Sequence, residues 1–229
     1  MILKKIHRKL YKLFHPVIGE IWMLHRVVEH RSEKPEQREL EVTPDWLEER
    51  IVEYRKRGYC FAPIDNLPAR GKWVCLTFDD GYRDNYTLAY PMLKRLQVPF
   101  AVYVSTGFVD NHFPMWWYPG DQLGMSADEL KELAEDPLCT IGAHTVSHPK
   151  LDTLSYEEQY KEISNSKQNL EQMLGHPIQH FSFPHGTHNA DALTICQKLG
   201  FKTVVQSWGG PVRRGVSSNP LPRIEILQP

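Results

Sequence analysis

The chain predicts an α/β fold around a parallel sheet, either a (β/α) barrel or a doubly wound sheet, and three observations carry that prediction. Short apolar runs alternate with amphipathic helical stretches along the whole sequence. Chemically capable polar residues gather just after strand ends, at Asp79-Asp80-Gly81 and again from His144 to His148. A length of 229 residues, 41% of them apolar, can bury one sizeable core, and a single domain of this size suits a barrel. Periodicity alone does not choose between barrel and open sheet.

Residues 1–20 are expected to form a basic amphipathic helix, with the folded domain over 21–229. Leu3, Ile6, Leu10, Leu13 and Phe14 fall at helical spacing, and Lys4, Lys5, Arg8, Lys9 and Lys12 occupy the remaining surface. Such a helix suits either contact of residues 1–14 with an anionic membrane surface or packing against the domain. Its interrupted apolar pattern does not fit a signal peptide, and no run approaches the roughly 18–20 residues that span a bilayer. The four cysteines lie far apart with no Cys-x-x-Cys pair, which suggests buried thiols and a reducing compartment. The expected location is therefore cytoplasmic, at a membrane surface if the first helix docks there. A net charge of -1 gives no general attraction to nucleic acid.

Ile21 to Val28 reads as a strand with His25 near its middle or end, followed by a polar linker, Glu29 to Glu41, with little reason to pack. Thr43 caps a helix with Pro44 in its first turn, Trp46, Leu47, Ile51 and Tyr54 inward, and Gly58 as its stop. Cys60 to Ile64 is a short edge segment, since Pro63 argues against a central ladder position. Trp73 to Phe78 is a buried strand. Asn85 to Gln97 is helical, and Pro91 within it predicts a kink or a late start. Phe100 to Ser105 is the next strand. The irregular stretch Gly107 to Gly124 holds Trp116, Trp117 and Tyr118, which could stack sugar rings or plug the fold. Ser126 and Ser155 each open a helix with a capping box, the second closing at Gly175. Phe181 to Phe183, Lys202 to Val205 and Ile224 to Leu227 complete the strands, with a helix from Asn189 to Leu199.

Neighbouring strand residues face opposite sides. Asp79 and Asp80 can therefore share a pocket only where the strand yields to a Gly-assisted turn. Two carboxylates so placed repel, unless a cation takes one and a proton or hydrogen bond eases the other. His144 and His148 stand four apart, the spacing that puts both imidazoles on one side of a helical turn. Two imidazoles and one carboxylate leave a tetrahedral ion open to water. Eleven histidines make this spacing weak by itself; its recurrence at the end of an apolar run is the stronger signal.

Thr77-Phe78-Asp79-Asp80-Gly81 with His144-Thr145-Val146-Ser147-His148 resembles the first two signature motifs of the polysaccharide deacetylase family, carbohydrate esterase family 4. Phe181-Ser182-Phe183-Pro184-His185-Gly186 is similar to the third motif, with Ser182 where many members have Arg and His185 where most have Tyr. The resemblance runs from about residue 21 to residue 227. It implies a distorted (β/α) barrel of about seven parallel strands in one domain, with the site at their carboxyl ends. It also implies one divalent metal ion on Asp80, His144 and His148, with Zn²⁺ the first candidate and Ni²⁺ or Co²⁺ the alternatives. Asp79 is then the general base, and the backbone N–H of His185 stabilises the oxyanion.

The family's usual acid, a Leu-x-His near the carboxyl end, has no counterpart, because no histidine follows His188. Met23-Leu24-His25 resembles the arrangement in circularly permuted members, the poly-N-acetylglucosamine deacetylases, and implies His25 as the acid. His185 and His188 are the alternatives, and His25 could also be a core histidine. Arg223 is the candidate to replace the guanidinium absent at Ser182. The expected activity is metal-dependent removal of N-acetyl groups from N-acetylhexosamine residues of a cell-surface polysaccharide or its lipid-linked precursor, the partner being an N-acetylated glycan or glycolipid. Deacylation of a small amide or O-acetyl ester, and an inactive glycan-binding module, are the alternatives.

Overall fold

Seven parallel strands close on themselves. They are β1 (Val17–Leu24), β2 (Trp73–Phe78), β3 (Phe100–Val104), β4 (Cys139–Ala143), β5 (His180–Ser182), β6 (Thr203–Gly209) and β7 (Leu221–Glu225). Each pairs with the next in chain order, and β1 also pairs with β7, so the ladder has no free edge. The fold is thus the barrel rather than the open sheet. Helices α1 (Pro44–Lys56), α2 (Tyr90–Leu96), α3 (Ala127–Glu135), α4 (Tyr156–Leu174) and α5 (Ala190–Lys198) lie between successive strands. The computed structural model describes residues 14–118, 120, 123–215 and 219–229. Residues 1–13 of the expected first helix lie outside that description, and Val17 to Glu20, expected as part of it, already belong to β1.

Alternation along β2 separates two cores. Val74, Leu76 and Phe78 face the helices in the larger apolar cluster, whereas Trp73 and Cys75 join Ile21, Ala101, Tyr103 and Val205 inside the barrel. Gly19 of β1 sits opposite Trp73, and a Cβ there would lie 2.1 Å from the indole ring. The seam between the first two strands therefore requires a residue without a side chain.

The predicted caps form as the sequence implies: Thr43, Ser126 and Ser155 each accept a backbone N–H of the following turn, and Asn189, read only as a helix start, does the same. Pro91 produces a late start. A π-helical turn, Asn85–Ala89, precedes α2, and Pro91 falls in its first turn, where a missing N–H costs nothing.

Two expectations need correction. Glu29 to Glu41 is not a loose linker: Glu41–Val42 pairs with Arg26–Val27, and Glu41 is buried, accepting the Ser32 N–H and the Tyr118 hydroxyl. Arg31 in the same stretch reaches the carbonyls of Gln228 and Pro229. The last strand is Leu221–Glu225, displaced from the predicted 224–227, and it tolerates Pro222 because its pairing with β6 is irregular there. All four cysteines are free, with Cys60 exposed and the others buried. No helix among the described residues is long and apolar enough to cross a membrane.

Candidate active site at the barrel mouth

Asp79 continues the inward alternation of β2, and its N–H still bonds the Leu24 carbonyl at 2.9 Å. Asp80 then takes φ 73° and Gly81 φ 82°, turning the chain out of the ladder. This pair of left-handed residues is what brings both carboxylates to one face, and both are buried. Arg223 grips Asp79 through two parallel hydrogen bonds of 2.7 and 2.5 Å, a fork that fits a carboxylate. The same guanidinium donates to Ser182 Oγ, Thr77 Oγ1 and the Gln206 carbonyl, and Ser182 Oγ donates to Asp79 at 3.2 Å. Burial pushes the Asp79 carboxyl up, but Arg223 and His144 outweigh it and hold the carboxyl below the usual range. The guanidinium absent from position 182 thus arrives from β7.

Asp80 has different company. Its Oδ1 lies 3.4 Å from His144 Nε2 and 3.3 Å from His148 Nε2, and although buried it makes no hydrogen bond. Donors on a tetrahedral ion with bonds of about 2.0–2.1 Å sit roughly 3.4 Å apart, so this spacing and this donor set fit one small divalent cation. Among the described residues these three form the one group of His, Cys, Asp or Glu with donor atoms within 4.8 Å of one another. His144 Nδ1 donates to the Ser182 carbonyl at 2.8 Å, which fixes the ring with Nε2 toward Asp80. Burial lowers this imidazole's pKa, but Asp79 and Asp80 outweigh it and hold it above the usual range. Burial drives the His148 imidazole down to about 3, so its lone pair is free at neutral pH.

The predicted helical turn between the two histidines is absent. His144 directly follows β4, and His148 returns to the site through a loop with Thr145 at φ 67° and His148 at φ 61°. Spacing of four does not require a helix; two left-handed residues bring the rings together equally well.

His25 lines the same cavity, of about 210 Å³, with Asp79, Asp80, His144 and His148. It lies where the chain leaves β1, and the next elements pin it there. Asn85 Nδ2 donates to the His25 carbonyl at 2.8 Å, and Asp84 accepts from the Val27 N–H and Arg26 Nε. His185, with φ 55°, tilts over His148 at a ring separation of 4.5 Å and also lines the cavity. His188 instead stacks on Phe183 and is not among the cavity residues. Sequence reasoning missed Leu40 and Ser207, which complete the wall, because neither carries a chemical signature. Trp117 from the irregular loop covers His148 at 4.5 Å and donates to the Tyr82 hydroxyl, while Trp116 beside it is 70% exposed.

This carboxylate and imidazole set lies at the carboxyl-end mouth of an α/β barrel, the end at which barrel enzymes keep their active sites. The family model for polysaccharide deacetylase matches residues 66–204, more than half of the chain, and the chain belongs to that family. Its relatives include YxkH of Bacillus subtilis, 26% identical over 208 residues that make up 90% of this chain and 70% of YxkH. The poly-beta-1,6-N-acetyl-D-glucosamine N-deacetylase of Staphylococcus aureus is 27% identical over 65% of this chain; the chain spans about half of that protein, 49%. Among solved structures, the Streptococcus pyogenes deacetylase PplD in complex with acetate superposes with a TM-score of 0.75 at 28% identity, over 93% of both chains. IcaB of Ammonifex degensii shares the fold, with a TM-score of 0.77 at 22% identity over 92% of each chain.

Proposed function

We propose that the protein is a metal-dependent deacetylase that removes N-acetyl groups from N-acetylhexosamine units of a polysaccharide or its lipid-linked precursor. The observation that carries this is the division of labour between two adjacent carboxylates: Asp79 is paired with a guanidinium, and Asp80 faces two imidazoles with a buried oxygen unsatisfied. Asp80, His144 and His148 would hold one divalent ion, with Zn²⁺ the first candidate and Ni²⁺ or Co²⁺ the alternatives. Such an ion, when bound, acidifies water and polarises an acyl oxygen.

The chain's own groups do the rest. Asp79, ionised and oriented by Arg223, accepts the proton of the attacking water. The backbone N–H of His185 donates to the oxygen that becomes negative. His25 delivers a proton to the departing nitrogen, since an amine leaves readily only when protonated. Two likenesses support this substrate class: acetate is bound in PplD, and the S. aureus relatives are named for N-deacetylation of poly-N-acetylglucosamine. On this reading the acyl group enters the cavity and the sugar rings lie at its rim, where exposed Trp116, beside the lining residue Trp117, offers a flat face.

Acetate release across a panel of N-acetylated and O-acetylated oligosaccharides, with and without chelator, tests the proposal. N-acetylglucosamine oligomers should release acetate, and chelation should abolish release. Absence of acetate from every N-acetylated substrate, or indifference to chelator, would overturn it.

A further inference from the structure

The loop that returns His148 to the site is short, doubly left-handed and poor in regular hydrogen bonds, so something outside it must fix its course. That support comes from the middle of α4. Glu162 Oε2 accepts the N–H groups of Val146 and Ser147, each at 2.9 Å, and Oε1 accepts the Ser147 hydroxyl at 2.7 Å. One carboxylate thereby satisfies three donors on the two residues that immediately precede Ser147's neighbour His148. From the other side Thr106 and Gly107 donate their N–H groups to the Thr145 and Val146 carbonyls, at 3.1 and 2.8 Å. Thr145 Oγ1 accepts the His148 N–H at 3.1 Å. The loop is held on both faces, and only Glu162 binds consecutive N–H groups within it.

We infer that Glu162 is a positioning residue for the metal ligand His148, setting the affinity of the Asp80, His144 and His148 site for a divalent ion without touching the ion or the substrate. This rests on the metal reading of the site proposed above. Without the carboxylate, two N–H groups and a hydroxyl seek other partners, and a loop with two left-handed residues relaxes away from the conformation that His148 needs. Residues that orient a ligand rather than bind the metal typically govern 10- to 100-fold in affinity, and that is roughly the size expected here.

The test is a titration of apo-protein with Co²⁺, read by its visible absorption, and with Zn²⁺ in competition with a chromophoric chelator. Glu162→Ala and Glu162→Met, the second keeping the volume of the stem, should each weaken binding roughly 10- to 100-fold and change the Co²⁺ spectrum. Glu162→Gln should stay near wild type, because its amide oxygen can accept both N–H groups while its amino group donates to Ser147. Glu158→Ala removes the capping box of the same helix and should lower stability without altering metal affinity. A folded Ala or Met variant that binds like wild type would overturn the inference, as would a Gln variant as weak as Ala. A wild-type protein that binds neither ion overturns the metal reading itself, and so separates the two failures.

Discussion

Arg223 and Asp79 are both almost wholly buried, so the energetics of their pair differ from those of a surface ion pair. Loss of one partner strands a charge in the barrel; loss of both strands none. Arg223→Met should destabilise the protein by about 3–5 kcal/mol in urea titrations. The double variant Asp79→Asn with Arg223→Met should recover most of that loss, and a double variant as unstable as the two single losses summed would refute the pairing argument. His25 yields a kinetic prediction instead. His25→Ala should keep its metal and lose roughly two or more decades of kcat, the scale of lost acid catalysis; unchanged turnover removes His25 from the chemistry. The four central groups were legible because strong donors interrupt apolar runs at strand ends. Arg223 was legible only as a charge missing from position 182. The course of the loop to His148 was not, since left-handed backbone at Thr145 leaves no mark in a sequence without glycine there.

At the scale of elements, local signals read well and distant ones did not. Caps at Thr43, Ser126 and Ser155 depend on residues within one turn, and each formed. The stretch from Glu29 to Glu41 looked unpacked because its partners are remote: Arg31 bonds carbonyls 197 and 198 residues away. The seam between β1 and β2 is likewise invisible locally, yet it sets a sharp requirement at Gly19. Gly19→Ala would drive a methyl into the Trp73 ring, where the nearest ring atoms lie 2.1 Å from the Cβ position. Overpacking of this kind costs about 1–3 kcal/mol, and thermal melts should show that loss. Gly19→Ala with Trp73→Phe should recover part of it. A Gly19→Ala protein as stable as wild type would mean that the seam accommodates a side chain after all.

For the molecule as a whole, the barrel brings Asp80 after β2 together with His144 and His148 after β4, strands that have β3 between them. An ion shared by these donors ties two non-adjacent parts of the ring, and it binds only the folded chain, because the unfolded chain does not hold the three donors together. Stability must then rise with metal concentration by mass action, about 2.7 kcal/mol at one hundred times Kd. In a protein of 229 residues each kcal/mol moves Tm by roughly 2–4 °C, so the expected rise is about 5–11 °C. Melting with Zn²⁺, with chelator, and with Zn²⁺ restored after chelation measures it directly. His148→Ala separates site binding from general metal effects, since its Tm should respond little to either addition. Equal melting temperatures for the wild-type protein with Zn²⁺ and with chelator would mean that Asp80 keeps its buried oxygen unsatisfied for some other reason, and that the two carboxylates do not divide their roles around a cation.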